Sequence, residues 1–265
     1  MYLIEGIGHH TRRFLQIVSS VVWLLINTIA EMSDNVRRGR MPFRPAMFFA
    51  QTDRAGVGSV PLTAMVSLFL GLTMALLTGY QLQKFGSERF VPGLVAIAFT
   101  RELGPLLTGI VIAARIGAAY TAELGTMTVS EEVEALEAMG IGPLRFLVAP
   151  RLMAVTLLMP CLSVVATLAA LAGTVFISWY VLNISPEYCK DLILESIELK
   201  DISTGIIKSV LFGMIIGLVS CFKGLAVEGG AAGVGTATTS SVVVAITTVI
   251  GFDTLANIIL SQTLP

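Results

Sequence analysis

Five long apolar segments constrain the fold of this chain more than any other feature. They cover residues 57–80, 91–120, 152–182, 205–227 and 238–260. A helix needs about 20 mostly apolar residues to cross a bilayer, so each segment is long enough to do so. Charged residues make up only 13% of the sequence, against about 25% in soluble proteins, which leaves too little polar surface to face water. We therefore predict an all-α integral membrane protein whose residues 57–265 form a domain of five transmembrane helices.

Residues 1–56 form a separate N-terminal unit in this prediction. An apolar stretch at 14–30, with the residues just after it, places its polar side chains on one helical side: Gln16, Ser20, Asn27, Glu31 and Asp34. One polar side with flanking arginines is typical of an amphipathic helix that lies in the membrane interface. We favour that interpretation for 14–30, and a sixth transmembrane helix is the alternative. Pro42 and Pro45 then break the chain before an elbow at 46–56 that leads into the first span.

The distribution of basic residues predicts the orientation in the membrane. Seven arginines precede the first span: Arg12, Arg13, Arg37, Arg38, Arg40, Arg44 and Arg54. With five spans, Arg145, Arg151 and Lys223 fall on the same side, and the opposite side holds Lys84, Arg89, Lys190 and Lys200. Because cytoplasmic loops are rich in Lys and Arg, we expect a cytoplasmic N-terminus and a C-terminus on the far side. The net charge of −1 gives no reason to expect nucleic acid as a partner.

The connection between the second and third segments, on the predicted cytoplasmic side, is acidic and has helical periodicity. Thr128 and Glu131 have the spacing of a capping box, and Gly140 and Gly142 mark an end, so we predict a helix at about 128–140. Val133, Leu136 and Met139 recur every three residues within a rim of acids: Glu131, Glu132, Glu134 and Glu137. An apolar stripe with a charged rim, anchored at both ends, favours contact with a soluble partner. A solvated connector is the alternative.

Several short motifs, taken in order, resemble the MlaE/YrbE permease family, whose members are membrane subunits of ABC transporters that work with MCE-domain proteins. The motifs are R-E-L-G-P at 101–105, A-R-x-G-A at 114–118, A-E-L-G at 122–125, E-A-L-x-x-M-G at 134–140, P-R at 150–151 and G-F-D at 251–253. Their order and spacing agree with the family from about residue 10 to residue 260. Such extended agreement is far more specific than any single pattern.

The resemblance implies a homodimer of permeases in the inner membrane of a Gram-negative-type bacterium, with the C-terminus periplasmic. It implies a phospholipid-like substrate, a cytoplasmic ATPase subunit that holds the ATP and Mg²⁺, and a periplasmic MCE-domain lipid-binding protein. A small cytoplasmic accessory subunit is a further candidate partner. The acidic loop would be the coupling helix, seated on the ATPase through Glu123, Glu131, Glu132, Val133, Glu134, Leu136, Glu137 and Met139.

Charged residues within the apolar segments are the remaining candidates for a site. Arg101 and Glu102 lie about ten residues into the second segment, close to the middle of the bilayer, where a charge is costly unless it is paired or hydrated. We assign both to the lipid cavity, with ion pairing to neighbouring helices as the alternative, which we favour for Glu102. Arg115 is predicted to be a structural charge near the cytoplasmic end. Lys208 and Asp253 are predicted to form a structural ion pair.

The sequence holds no recognisable catalytic or nucleotide-binding constellation. The glycine-rich stretch at 228–235 has no G-K-[ST], so it does not match a phosphate-binding loop, and the two histidines are adjacent at the N-terminal tip. We therefore expect a subunit that is not an enzyme and binds no cofactor or metal. The alternative function is a self-contained secondary transporter or channel that uses Arg101, Glu102 and Asp253 as a proton relay. A bound ATPase would distinguish the two.

Overall fold

The computed structural model describes Leu24, residues 26–28, Ala30 and residues 45–263. Within these residues five helices are long and apolar enough to cross a membrane, which confirms the five predicted spans. We number them as spans 1 to 5: Met47–Gln83, Glu88–Val129, Leu144–Tyr180, Leu199–Leu225 and Gly230–Ile259. Because the first of these includes most of the helix Pro45–Gly56, span 1 below means residues 57–83, after that helix. The helix of span 5 continues to Thr263, and the protein is a multi-pass membrane protein.

The predicted elbow is a helix, Pro45–Gly56, that continues through a short 3₁₀ turn into the helix Val60–Gln83 of span 1. The segment predicted to lie in the interface falls largely outside the described residues. Its described residues, Leu24, 26–28 and Ala30, are helical, and Leu24 is buried against the ends of spans 2, 3 and 4. The interfacial position of 14–30 stays a prediction.

Two short helices connect the spans on opposite sides of the molecule. The acidic helix, Glu132–Ala138, lies between spans 2 and 3, and the connecting helix, Pro186–Ser196, lies between spans 3 and 4. We call the side with the acidic helix the acidic side, and the other the opposite side. Spans 1, 3 and 5 run from the acidic side to the opposite side, and spans 2 and 4 return.

The capping-box prediction for the acidic helix was wrong. Thr128 lies inside the last helix of span 2, Ala118–Val129, where its hydroxyl donates to the carbonyl of Leu124 at 2.9 Å. The break comes instead at Ser130 and Glu131, because Glu131 takes a left-handed conformation with φ of 59°. The acidic helix therefore begins at Glu132, four residues later than Thr128.

Span 2 is divided by two five-residue π-helical segments. Phe99–Leu103 contains Arg101 and Glu102, and Ala113–Gly117 contains Arg115. Pro105 cannot donate a backbone hydrogen bond to the preceding turn, and the amide of Gly104 bonds to the carbonyl of Phe99, five residues back. Such π segments are rare and often mark functional sites. Here they set the directions of the charged side chains of span 2.

Small residues hold the spans close together. A Cβ atom at Gly71 of span 1 would overlap the carbonyl of Ala170 in span 3, and one at Gly205 of span 4 would overlap the carbonyl of Thr100 in span 2. Close backbone approach through small residues is the usual way in which membrane helices pack. Within an apolar stretch of 18 residues in span 4, 61% is buried inside the domain, against 22% in span 1 and 17% in span 5. Span 4 is therefore the centre of the domain, and spans 1 and 5 are the most exposed helices.

Candidate functional site

Lys208 is the centre of a buried charge cluster between spans 2, 4 and 5. Its side chain is 2% exposed, and its ammonium group donates to both carboxylate oxygens of Glu102 at 2.6 Å and to Asp253 Oδ1 at 2.9 Å. Asn257 completes the cluster, because its Oδ1 accepts from Lys208 and its Nδ2 donates to Glu102 Oε2 at 3.1 Å. We call these four residues the lysine cluster.

The ion pair predicted between Lys208 and Asp253 is thus present. Glu102, which the sequence assigns to the lipid cavity, shares the same cation, so the geometry favours the alternative of ion pairing for Glu102. Asn257 was not identified from the sequence. The sequence feature that could have indicated Asn257 is its position four residues after Asp253, since residues at i and i+4 lie on the same face of a helix.

Arg101 points away from the lysine cluster. Its guanidinium lies 3.8 Å from Asp201, in the first turn of span 4, and 40% of its side chain is exposed. It lines an open cavity of about 330 Å³ between spans 2 and 4, together with Ile97, Ser196, Glu198, Lys200, Asp201 and Thr204. The first turns of span 2 pack against the connecting helix, with Gly93 next to Ser196. Arg101 therefore lies beside the first turn of span 4. Its position near the middle of the bilayer stays a prediction.

Arg115 connects span 2 to the beginning of span 1. Its Nη1 donates to Ser59 Oγ at 2.9 Å, and its guanidinium lies so close to Gly58 that a Cβ atom there would be 2.6 Å from Nη2. This contact gives Arg115 a partner on a neighbouring helix, consistent with the structural charge that the sequence predicts.

The acidic helix has its large apolar side chains on one side and its acidic side chains on the other. Val133 and Leu136 are half-buried and pack against a cluster formed by Leu24, Leu124, Leu147, Val148, Leu152, Leu218 and Cys221. Glu131, Glu132, Glu134 and Glu137 are exposed, and Met139 is 65% exposed. Val133 and Leu136, which were predicted to face a partner, thus attach the helix to its own domain. The surface that remains open is acidic, and Met139 is its large apolar side chain.

Glu123, which the sequence groups with the acidic helix, lies apart from it near the end of span 2. Its carboxylate accepts hydrogen bonds from Arg54 of the elbow helix and, at 3.2 Å, from Arg151 of span 3. Both arginines were missed as site residues. Arg151 does stand in the P-R motif, but the motif does not reveal its partner.

In the comparisons with known proteins, a family model and several relatives all describe permeases. The family model described as "Permease MlaE" matches residues 48–259. A probable ABC transporter permease protein of Rickettsia typhi is 35% identical over 237 residues, covering 89% of each chain. A probable ABC transporter permease protein of Porphyra purpurea is 31% identical over 233 residues, covering 88% of this chain and 86% of that protein.

One relative is named for a lipid. The chloroplastic protein trigalactosyldiacylglycerol 1 of Arabidopsis thaliana is 35% identical over 211 residues, which cover 80% of this chain and 60% of that protein. The family match extends over all five spans, and the predicted resemblance is confirmed. The chain therefore belongs to the MlaE permease family and is a permease of an ABC transporter.

Proposed function

We propose that two copies of this chain form the membrane part of a transporter that moves phospholipid-like lipids, driven by a separate cytoplasmic ATPase. The observation that carries the proposal is the acidic helix Glu132–Ala138. It is fixed to the ends of spans 2 and 3 by Val133 and Leu136, and it presents four glutamates and Met139 outward. A short helix so anchored can receive a push from a bound subunit and pass it to the spans as a rigid body.

The glutamates determine the kind of contact that we expect. The exposed acids would meet a basic rim on the ATPase, and Met139, a flexible apolar side chain, would fill a pocket within that rim. Charge complementarity mainly sets the specificity and the rate of association. In this proposal ATP and Mg²⁺ belong to the ATPase, and this chain supplies no catalytic group.

The lipid part of the proposal is supported by the exposed apolar surfaces of spans 1 and 5. Large apolar side chains are exposed along both helices, among them Met65, Phe69, Val243 and Ile250. Two copies with these helices facing each other, together with span 2, would enclose an apolar cavity suited to acyl chains. Arg101 lines the separate open cavity between spans 2 and 4, and in this proposal its guanidinium would hold a lipid phosphate there. The name of the Arabidopsis relative supports the same substrate class.

The proposed setting is the bacterial inner membrane, with the acidic side in the cytoplasm. The opposite side, with the C-terminal end of span 5, would then face the periplasm and an MCE-domain lipid carrier. A small cytoplasmic accessory subunit is compatible with this arrangement. The secondary-transporter alternative has no specific support, because Lys208 already pairs with both Glu102 and Asp253, two of the three residues of the proposed relay.

A charge reversal of the acidic helix tests the proposal. We expect wild-type protein, purified from native membranes in mild detergent, to retain an ATPase subunit with measurable ATP hydrolysis. The variant Glu132→Lys/Glu134→Lys/Glu137→Lys should lose that subunit while still inserting and dimerising. The matched control is Glu187→Lys/Asp191→Lys/Glu195→Lys, which reverses three exposed acids of the connecting helix and should keep the ATPase. Lipid movement by wild-type vesicles with no ATPase bound would contradict the proposal and favour the secondary transporter.

A further inference from the structure

Glu123 joins three separate elements at the acidic side. One carboxylate oxygen accepts from Arg54 of the elbow helix, and the other accepts from Arg151 in the first turn of the α-helix Ala149–Tyr180 of span 3. Glu123 itself lies on the last helix of span 2. We call Arg54, Glu123 and Arg151 the glutamate clamp. The clamp connects the two chain segments that flank the acidic helix to the helix that leads into span 1.

The two arginines of the clamp, Arg54 and Arg151, differ in burial and in their contacts. The side chain of Arg151 is 6% exposed, and its Nη1 donates to the carbonyl of Leu147 at 2.9 Å. Its guanidinium also lies 5.8 Å from the ring centre of Tyr120, within the range of a cation–π contact. The side chain of Arg54 is 69% exposed, and it donates a hydrogen bond to Glu123. Arg151 is therefore the fixed end, and Arg54 is the end that can be released.

The fixed end is in direct contact with the packing that supports the acidic helix. Arg151 bonds to Leu147, and Leu147 belongs to the buried cluster against which Val133 and Leu136 pack. A displacement of the acidic helix would shift this cluster and with it the guanidinium of Arg151. Glu123 would transfer the shift to Arg54, and the elbow helix continues directly into span 1. An unbroken series of contacts thus leads from the acidic helix to span 1.

We propose that Glu123 is a positioning residue that couples movement of the acidic helix to span 1. This inference rests on the proposed function, in which a bound ATPase moves the acidic helix. It assigns Glu123 a role inside the membrane domain and outside the ATPase contact. Loss of the clamp should leave the ATPase bound and hydrolysing ATP, but less lipid should move for each ATP consumed.

The experiment compares two rates in one sample. The complex of the chain with its ATPase is reconstituted in vesicles of phosphatidylethanolamine and phosphatidylglycerol that contain a fluorescent phospholipid. ATP hydrolysis and transfer of the fluorescent lipid are measured together, and their ratio is the readout. A coupling free energy of ordinary size corresponds to a change of about fivefold or more. We expect Glu123→Gln, which weakens the contacts to both arginines, to lower the ratio of lipid moved to ATP hydrolysed by about that factor, and Arg54→Gln to lower it by a smaller, measurable factor.

Two further variants complete the set. Glu195→Gln removes an exposed acid from the connecting helix and should leave the ratio unchanged. Glu123→Asp keeps the charge and should retain more of the ratio than Glu123→Gln does. Because the side chain of Arg54 is largely exposed, Arg54→Gln should fold normally and tests the same link if Glu123→Gln proves unstable.

The outcomes separate this inference from the proposed function. A wild-type complex that binds no ATPase, or that moves no lipid, would overturn both. An unchanged ratio in Arg54→Gln, with a working wild type, would overturn the inference alone. Release of the ATPase by Glu123→Gln would also overturn it, because Glu123 would then belong to the ATPase contact, as the sequence suggests.

Discussion

The lysine cluster and the glutamate clamp have opposite charge arrangements, since one charge of each cluster is shared by two charges of the other sign. In the first, one cation is shared by two acids, Glu102 and Asp253, and joins spans 2, 4 and 5. In the second, one acid, Glu123, is shared by two arginines and joins the elbow helix to spans 2 and 3. Each cluster thus connects three elements and carries a net charge of one unit.

Burial distinguishes the two. The central cation of the lysine cluster, Lys208, is 2% exposed, whereas one end of the clamp, Arg54, is 69% exposed. A charge in an apolar interior is costly when it loses its partner, but an exposed ion pair contributes about 0–1 kcal/mol. The lysine cluster is therefore suited to fixing spans in place, and the clamp is suited to a link that changes during a cycle.

The largest effect on stability is expected from Lys208→Met. The change leaves Glu102 and Asp253 without their cation, and removing one partner of a buried pair costs about 3–5 kcal/mol. Thermal unfolding in detergent should show a large loss of folded protein. The control Lys190→Met, in the exposed connecting helix, should unfold like wild type.

A compensated variant separates charge from packing. If the unpaired acids cause the loss, Lys208→Met combined with Glu102→Gln and Asp253→Asn should recover most of the stability. A triple variant as unstable as Lys208→Met alone would mean that the shape of the lysine side chain, and not its charge, holds the spans.

A smaller loss is expected from Asn257→Leu. The substitution removes one acceptor from Lys208 and one donor from Glu102, and the loss of a buried hydrogen-bond partner costs about 1–3 kcal/mol. The same unfolding measurement checks it, with the exposed Thr248→Val in span 5 as the control, since Thr248 bonds only locally to Val244. A destabilisation equal to that of Lys208→Met would contradict the central role given to the cation.

The sequence predicted the parts of the fold that depend on composition. Runs of apolar residues gave the five spans, and charges within those runs pointed to Arg101, Glu102, Lys208 and Asp253. The start of span 5 was placed at 238, yet its helix begins at Gly230. The residues between are mostly Gly, Ala and Thr, whose weak hydropathy conceals the start of the helix.

Features that depend on local backbone conformation were not predictable in the same way. The left-handed Glu131 moved the start of the acidic helix, and the π segments Phe99–Leu103 and Ala113–Gly117 interrupt the regular helical pattern around the charges of span 2. The clamp was missed for a related reason. Arg54, Glu123 and Arg151 are far apart in sequence, and each alone resembles an ordinary charge at the membrane surface, so only the fold brings them together.

The smallest expected effect is the dependence of protein stability on salt concentration. It tests most directly the difference in burial between the lysine cluster and the glutamate clamp. The Debye length falls from about 10 Å at 0.1 M salt to about 3 Å at 1 M, so exposed charges are screened and buried ones much less. Arg54→Gln should lower stability by at most about 1 kcal/mol at low salt, and this difference from wild type should vanish at 1 M. The difference between Asn257→Leu and wild type should change much less between the two salt concentrations, because the hydrogen bonds it removes are arranged around Lys208, whose side chain is buried. If salt instead reduced both differences equally, water and ions would have access to Lys208. The distinction between a largely buried cation and a releasable clamp would then fail.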